Sequence, residues 1–368
     1  MRISPVRPDL RRSWIVRAVA LASSAFVVAS VAGCGSSSGG SGDNVTAPKT
    51  SVAAADTAKD LYIGHPSPAM CQGKKYKIGV DYFSSTEEFA QQWVDGIKKV
   101  ANESGCVTVV ALSDETDPSK ALANAQTFVQ QGVDGVLLLQ VIAAAQPGIM
   151  RVLDNAHIPA VASAVPAPGA TFVSVPDYDS GADGGKFLAK AYLDKGGSEK
   201  PYLLIGTFPD GGQPSIDRLN GVIDGITQTI PGIPDDHIIQ IDTKADPVGT
   251  REKALAAINK IPRGAPVLAS AINDSTAYAE YQALKQSGRA DDSMVLGIGG
   301  VNPTGLSYIC KNPTYIAAVS HLADTWGRYL VPAILDRING KALPPAVDVQ
   351  WKILTRDNMR QTYPDAPC

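Results

Sequence analysis

The side chain whose chemistry is best specified by its neighbours is Cys34. It closes the run Val31-Ala32-Gly33-Cys34, at the end of an apolar stretch that begins near Ala18. Arg2, Arg7, Arg11 and Arg12 precede the stretch, and a Gly/Ser tract follows it. Small residues ahead of a cysteine at the end of a short apolar segment are the layout of a bacterial lipoprotein signal. The layout predicts removal of residues 1–33 and lipidation of Cys34, which places the protein outside the cytoplasm on a membrane surface. The alternatives are an ordinary secretory signal with a chance cysteine and a single transmembrane helix, but a span needs roughly 20 apolar residues, and Arg17 stops this stretch from lengthening. The pair Arg11-Arg12 leaves both the general and the twin-arginine export routes open.

Four further cysteines remain: Cys71, Cys106, Cys310 and Cys368. No two lie within a few residues of each other, so metal-ligand spacing is absent. In an oxidising compartment they suit structural disulfides, and four cysteines allow three pairings. The histidines His65, His157, His237 and His321 are scattered, and no metal site is expected.

Catalytic and phosphate-binding patterns fail on inspection. Gly184-Gly185-Lys186 is followed by Phe187, and Ser180 stands where a phosphate loop needs its first glycine. Gly35, Ser37 and Gly39 match a nucleophile elbow in spacing but lie in the Gly/Ser tract, where no strand-turn-helix forms. Asp177, Asp179 and Asp183 approach calcium-loop spacing, yet Gly181 interrupts the series and Leu188 replaces the closing acid. No catalytic residue and no cofactor is expected.

Charge points the same way. The first 33 residues hold five arginines, no lysine and one acid; of 33 basic and 36 acidic side chains, 28 and 35 therefore remain, a net charge of −7. A nucleic-acid partner would want a basic patch instead.

The elements that must position any site start near Cys71, after a tether expected over 34–70. Short apolar runs at 76–82, 106–112, 133–139 and 158–162 alternate with helical periodicity over 87–104, 118–131 and 145–156. The pattern repeats with strands expected at 202–205, 238–241, 267–271, 294–298 and 315–319 and helices at 181–193, 214–229, 250–261, 275–287 and 305–310. A helix follows at 324–339, then an extended piece at 346–354. Strands that are apolar throughout and alternate with helices predict parallel sheets covered on both faces. The fold class is α/β, with two doubly wound lobes.

From Tyr76 onward the chain resembles the type I periplasmic sugar-binding proteins of the ribose-binding kind. The matching segments include 77–80, Val94-Asp95-Gly96, 131–136, 155–159, 217–221, Ala271-Ile272-Asn273-Asp274, 295–300 and 318–327, and their order carries the resemblance. It implies two lobes joined by three crossovers, with a ligand closed between them. The first lobe would be 71–176 plus 322–340, the second 177–321 plus 341–368. The implied cysteine pairs are Cys71–Cys106 and Cys310–Cys368. Implied partners are a small carbohydrate-like ligand, an ABC permease and, through the lipid, the membrane; a monomer is expected. A sensor for a membrane receptor is the alternative use of such a domain, and an exported enzyme the disfavoured one.

The resemblance also implies ligand contacts. Phe89 would stack on a sugar ring, or else serve as a core position of the first helix. Glu87 would make a polar contact, or act as a first-turn carboxylate. Gln140 ends the third strand as a polar contact or an ordinary loop amide. Arg218 would grip two ligand oxygens with its planar fork, rather than form a surface salt bridge. Asn273 would bind ligand hydroxyls and is also placed to cap a helix. His321 stands at a crossover as a contact or a packing residue. Where such proteins carry an acid and an arginine after the fourth strand, this chain has Ala164 and Val165, and Gly299 replaces a further acid. The expected ligand is thus a polyol, a modified or acidic sugar, or a larger molecule, rather than a plain hexose or pentose.

Overall fold

The computed structural model describes residues 57–59, 67–300 and 303–368. The signal segment 1–33, Cys34 and most of the expected tether lie outside the described residues. In chain order the strands are β1 (Thr57–Lys59), β2 (Tyr76–Tyr82), β3 (Val107–Ser113), β4 (Gly135–Leu139), β5 (Ala160–Ser163), β6 (Thr171–Ser174), β7 (Tyr202–Thr207), β8 (Ile238–Asp242), β9 (Val267–Ala271), β10 (Ser293–Gly299), β11 (Tyr315–Ser320), β12 (Ala346–Asp348) and β13 (Lys352–Thr355). The helices are α1 (Glu88–Ser104), α2 (Pro118–Gln130), α3 (Gln146–Asn155), α4 (Asp177–Asp194), α5 (Gly212–Thr229), α6 (Pro247–Ile258), α7 (Asp274–Gln286), α8 (Pro303–Lys311), α9 (Gly327–Ile338) and α10 (Met359–Thr362).

The strands form two sheets, in the orders β1-β12-β6-β5-β4-β2-β3 and β13-β11-β10-β9-β7-β8. Neighbours pair in parallel, apart from the antiparallel β11–β13 edge. Alternation of side chains along each strand divides them between two cores. In β4, Leu137 and Leu139 face Trp93 and Ile97 of α1 and Leu330 and Ile334 of α9, whereas Val136 and Leu138 face Phe128 of α2 and Leu153 of α3. In β9, Val267, Ala269 and Ala271 face α6, α7 and α8, while Leu268 joins Leu188 of α4 and Val222 of α5. Both faces are therefore buried, as the apolar runs require. Each fully buried Leu or Ile contributes roughly 1.5–3 kcal/mol.

Helices α4 and α5 pack backbone against backbone. A Cβ added to Gly181 would meet the Arg218 carbonyl oxygen at 2.0 Å, one at Gly185 the Val222 oxygen at 2.2 Å, one at Gly221 the Tyr178 oxygen at 2.2 Å, and one at Gly225 the Ala182 oxygen at 2.2 Å. Glycine at all four positions lets Arg218 on α5 reach the first turn of α4.

The chain passes between the sheets three times: between β6 and α4, between β11 and α9, and between β12 and β13. The last passage corrects the expectation that 341–368 belongs wholly to the second lobe. Ala346–Asp348 pair with Phe172–Ser174 in the first sheet, and only Lys352–Thr355 pair with Ala317–Ser320 in the second. Likewise Thr57–Lys59, within the expected tether, pair with Ala346–Asp348 and extend the first sheet. Helix α4 starts at Asp177 directly after Pro176, four residues before the expected start at Gly181.

The structure brings Cys71 to Cys106 and Cys310 to Cys368, with Cα separations of 6.3 and 5.7 Å, inside the range that a disulfide spans. Cys71 ends a short 3-10 turn at Pro68–Cys71, and Cys106 immediately precedes β3.

Candidate functional site

Parallel strands end on one edge of their sheet, so the loops that follow β2–β6 crowd together, as do those that follow β7–β11. The two loop sets meet. Thr304 Oγ1, from α8, donates to Glu88 Oε1 of α1 at 2.5 Å. Gly300, after β10, lies against Phe89 so closely that a Cβ there would be 2.9 Å from the Phe89 Cβ. Gly212, after β7, similarly approaches Ala143, after β4. The cleft between the lobes is thus flanked by contacts and lined by strand ends, the usual place for a ligand in open α/β sheets.

In the first lobe, Glu87 caps α1: its Oε2 accepts from the Ala90 N–H at 2.9 Å. The cap satisfies one of the free N–H groups of the first turn. Burial pushes the Glu87 carboxyl up, opposed by these backbone hydrogen bonds. Phe89, partly buried, stands edge-on to Trp326, with ring centroids 5.8 Å apart and planes at 88°. It therefore packs on the first core and meets the second lobe at Gly300. Trp326 is itself fixed, since its Nε1 donates to the His321 carbonyl at 2.6 Å.

Gln140 is not an ordinary loop amide. It is 3% exposed, and its Nε2 donates to Asp81 Oδ2 at 2.6 Å and to Asp114 Oδ2 at 2.5 Å. Asn124 Nδ2 donates to Asp81 Oδ1 at 2.7 Å, and the Thr116 N–H to Asp114 Oδ1 at 2.7 Å. One amide thus clamps two buried carboxyls at the ends of β2 and β3, which leaves Gln140 Oε1 for a ligand. Burial, reinforced by the Asp114 charge, pushes Asp81 up to about 8, against the hydrogen bonds from Asn124 and Gln140. Burial raises Asp114 as well.

In the second lobe, the Arg218 guanidinium is bound on two sides. Nε donates to Asp177 Oδ1 at 2.8 Å, Nη2 lies 2.5 Å from the same oxygen, and Nη1 donates to the Ile272 carbonyl at 2.9 Å. The pair is buried, not a surface bridge: the side chains are 15% and 5% exposed. Burial pushes Asp177 up, and Arg218 opposes that shift. Asn273 caps α7, its Oδ1 accepting from the Thr276 N–H at 3.0 Å and from Thr276 Oγ1 at 2.7 Å. Its Nδ2 takes no part in that cap. Asp274, the next residue, is 6% exposed; its Oδ1 accepts from Tyr315 OH at 3.3 Å, while Oδ2 has no partner among the described residues. Burial pushes this carboxyl well above its usual range, countered by the Tyr315 hydroxyl and Arg218 and reinforced by Glu87 and Glu88. His321 is 2% exposed, its Nε2 without a partner among the described residues. Burial, with Arg218 close by, holds its imidazole well below the ordinary value, so the ring is neutral.

The structure therefore sets Glu87 and Phe89 on the first lobe and Arg218, Asn273 and His321 on the second, and places Gln140 at the end of β4, bound to Asp81 and Asp114. Sequence reading missed Glu88, Asp274 and the Asp81–Asp114 pair, and weighed Asp177 only as a calcium-loop position. At the positions that lack the expected acids, Ala164 and Gly299 have φ of +61° and +113°. A side chain at the latter angle is strained, and only glycine adopts it readily. Among the described residues no group of three or more His, Cys, Asp or Glu could hold a metal ion, and no helix is long and apolar enough to cross a membrane.

Comparison with known proteins follows this geometry. A family described as a periplasmic binding protein domain matches residues 78–342. The ribose import binding protein RbsB of Bacillus subtilis is 24% identical over 291 residues, 77% of this chain and 88% of that protein. An ABC transporter solute binding protein of Bacillus halodurans, solved with bound myo-inositol, superposes with a TM-score of 0.66 at 20% identity, covering 78% of this chain and 97% of that one. A periplasmic solute binding protein of Actinobacillus succinogenes, solved with bound D-allose, gives 0.68 at 16% identity, covering 78% and 100%.

Proposed function

This chain belongs to the periplasmic binding protein family, and we propose that it captures a carbohydrate-like small molecule, a sugar, polyol or derivative, for import by an ABC transporter. One observation carries the reading. The residues at the lobe boundary include buried polar atoms without partners among the described residues, His321 Nε2 and Asp274 Oδ2, along with an aromatic ring and a helix-capping amide. A buried donor or acceptor left unpaired costs about 1–3 kcal/mol, and a polyhydroxylated ligand supplies hydroxyls for each. The ligands in the names of the similar proteins support the same class.

In this reading Phe89 offers its face to the apolar side of a ring, and Asn273 Nδ2 and Gln140 Oε1 supply one donor and one acceptor. Arg218 fixes Asp177 and the Ile272 carbonyl, and presents its remaining N–H groups. Closure of the lobes excludes water from these contacts. No bond is made or broken; the closed form docks on a membrane permease as a monomer. The protein is held at the outer face of the cell membrane by lipid on Cys34, and the tether raises its concentration at that permease. The pairs Cys71–Cys106 and Cys310–Cys368 form disulfides suited to that compartment.

A thermal-shift screen over sugars, polyols and sugar derivatives tests the reading. A ligand at a hundredfold its Kd stabilises by about 2.7 kcal/mol, and the melting temperature rises. Stabilisation by nucleotides or peptides alone contradicts it.

A further inference from the structure

Where the chain passes from β11 to α9, Leu322 has φ of +53°, a left-handed backbone that a leucine rarely adopts. Such strain persists only where the surroundings over-determine it, and it clusters at switch points. On the first-lobe side of Leu322, Ala323–Thr325 form a 3-10 turn that rests on α1. A Cβ added to Gly96 of α1 would be 2.4 Å from the Asp324 carbonyl oxygen, and one at Gly327 would be 2.3 Å from the Gly96 oxygen. Ala323 and Trp326 are buried in the first core. On the second-lobe side, β11 is paired with β10 and β13. Leu322 therefore stands between two separately fixed bodies.

Tyr363 spans it. The hydroxyl donates to Asp324 Oδ1 at 3.2 Å, while the side chain packs on the second-lobe core around α6, α7 and α8. The segment that carries Tyr363 is tied to α8. Arg356 Nη2 donates to the carbonyls of Ile309 and Cys310 at 3.2 and 2.8 Å. Met359 is fully buried, with its sulfur 3.7 Å from Cys310 Sγ and 3.9 Å from Cys368 Sγ. The segment also folds on itself: the Tyr363 N–H donates to the Met359 carbonyl at 2.8 Å and the Ala366 N–H to the Tyr363 carbonyl at 2.9 Å. The Cys310–Cys368 bridge proposed above pins it to α8, whose other end meets α1 where Thr304 donates to Glu88. Segment 356–368 and α8 thus hold α1, and the turn lying on it, at two points.

We propose that segment 356–368, pinned to α8, is a latch: Tyr363 and Asp324 join the lobes across the Leu322 pivot and restrain their opening. This rests on the two closing lobes of the reading above, and not on their ligand. Rotation at Leu322 carries Asp324 with α1 and leaves Tyr363 with α8, so opening stretches the bond between them. Without the bridge, the segment loses its covalent hold on α8 and the latch slackens.

Double electron–electron resonance on the full chain without ligand tests the latch, in a Cys34→Ser background that leaves no thiol outside the proposed bridges. Spin labels are attached after Lys120→Cys and Val248→Cys, both exposed, in the first turns of α2 and α6. Those helices follow β3 and β8, so the labels sit at the cleft-side ends of the two lobes. Tyr363→Phe and Asp324→Ala are each expected to raise the ratio of long to short label distances about fivefold, the weight of one hydrogen bond. Together they should do no more than either alone, because they remove the same bond. Cys310→Ser combined with Cys368→Ser should move the ratio the same way. Melting curves show whether the variants fold; if the bridgeless one does not, Tyr363→Phe, which loses a single hydroxyl, decides. Distances unchanged in folded Tyr363→Phe, effects of Tyr363→Phe and Asp324→Ala that add, or a folded bridgeless variant that opens no further overturn the latch. Because no ligand is used, each of these results leaves the carbohydrate reading standing.

Discussion

Replacing Gly221 by alanine separates two opposite expectations. In an exposed helix, Gly→Ala stabilises by about 1 kcal/mol, because alanine has the higher helix propensity. At Gly221 the added Cβ would sit 2.2 Å from the Tyr178 carbonyl oxygen and 2.8 Å from the Ala182 nitrogen, both backbone atoms of α4. A comfortable carbon-to-oxygen contact is about 3.3 Å, so α5 must move by about 1 Å. Neither obstacle is a side chain that can rotate away. Overpacking of this kind costs about 1–3 kcal/mol, and the upper end applies where the clash is with backbone. After the propensity gain, the net is a destabilisation of about 1–2 kcal/mol. That is a fall of about 2–8 °C in melting temperature for a domain of this size. The displacement also reaches the site, because Arg218 lies one turn before Gly221 and its partner Asp177 opens α4. Ligand affinity should therefore fall together with stability. Gly148→Ala on α3 is the control: its Cβ would meet only Leu122 Cδ1, at 3.9 Å, and a gain of up to about 1 kcal/mol is expected. Thermal melts and titrations on both variants check the pair. A Gly221→Ala protein more stable than the parent would refute the close-packing account of α4 and α5.

Asp81→Asn should flatten part of the pH dependence of stability. The folded carboxyl is raised from 3.8 to about 8, so the native state binds the extra proton. Through this group, stability falls as pH rises across that window. The variant should gain on the parent at pH 7.5 and show no gain near pH 3, measured by denaturant melts at both. Glu280 is fully buried, with neither carboxyl oxygen partnered among the described residues, and burial raises it well above 4.5. Glu280→Met should stabilise the fold at pH 7 by about 1–3 kcal/mol, and a loss in the same melts would show that a partner had been missed. Non-reducing peptide mapping of exported protein should recover the peptides of Cys71 with Cys106 and of Cys310 with Cys368; any other pairing contradicts the bridges proposed.

The parallel strands were legible because burial on both faces leaves an uninterrupted apolar run, as in Val136-Leu137-Leu138-Leu139. Strand β6 was not, because Thr171-Phe172-Val173-Ser174 is too short to show a period. The start of α4 was misplaced because Gly181 looks like a breaker, whereas it is the point where α5 makes contact. Three residues at 346–348 carry no local mark of the sheet they join; that depends on partners more than 170 residues away. In the site, Asn273 was readable as a helix cap from its position before a periodic segment. The clamp at Gln140 was not, since it depends on Asp81 and Asp114, 59 and 26 residues distant. Glu88 and Asp274 adjoin residues that were picked out, and each opens a helix. Their buried, unpartnered oxygens became visible only when the chain was folded.

The central claim is that the closed cleft binds a carbohydrate-like molecule through Phe89, Arg218 and Asn273. Isothermal titration tests it most directly, using the purified chain, its Asn273→Ala variant, and the sugar, polyol or derivative that most raises the melting temperature. One-to-one binding with a Kd on the order of micromolar or below, weakened at least about tenfold in Asn273→Ala, is the predicted result. Contradiction would come from saturable binding that is indifferent to Asn273, or from no saturable binding by any such compound.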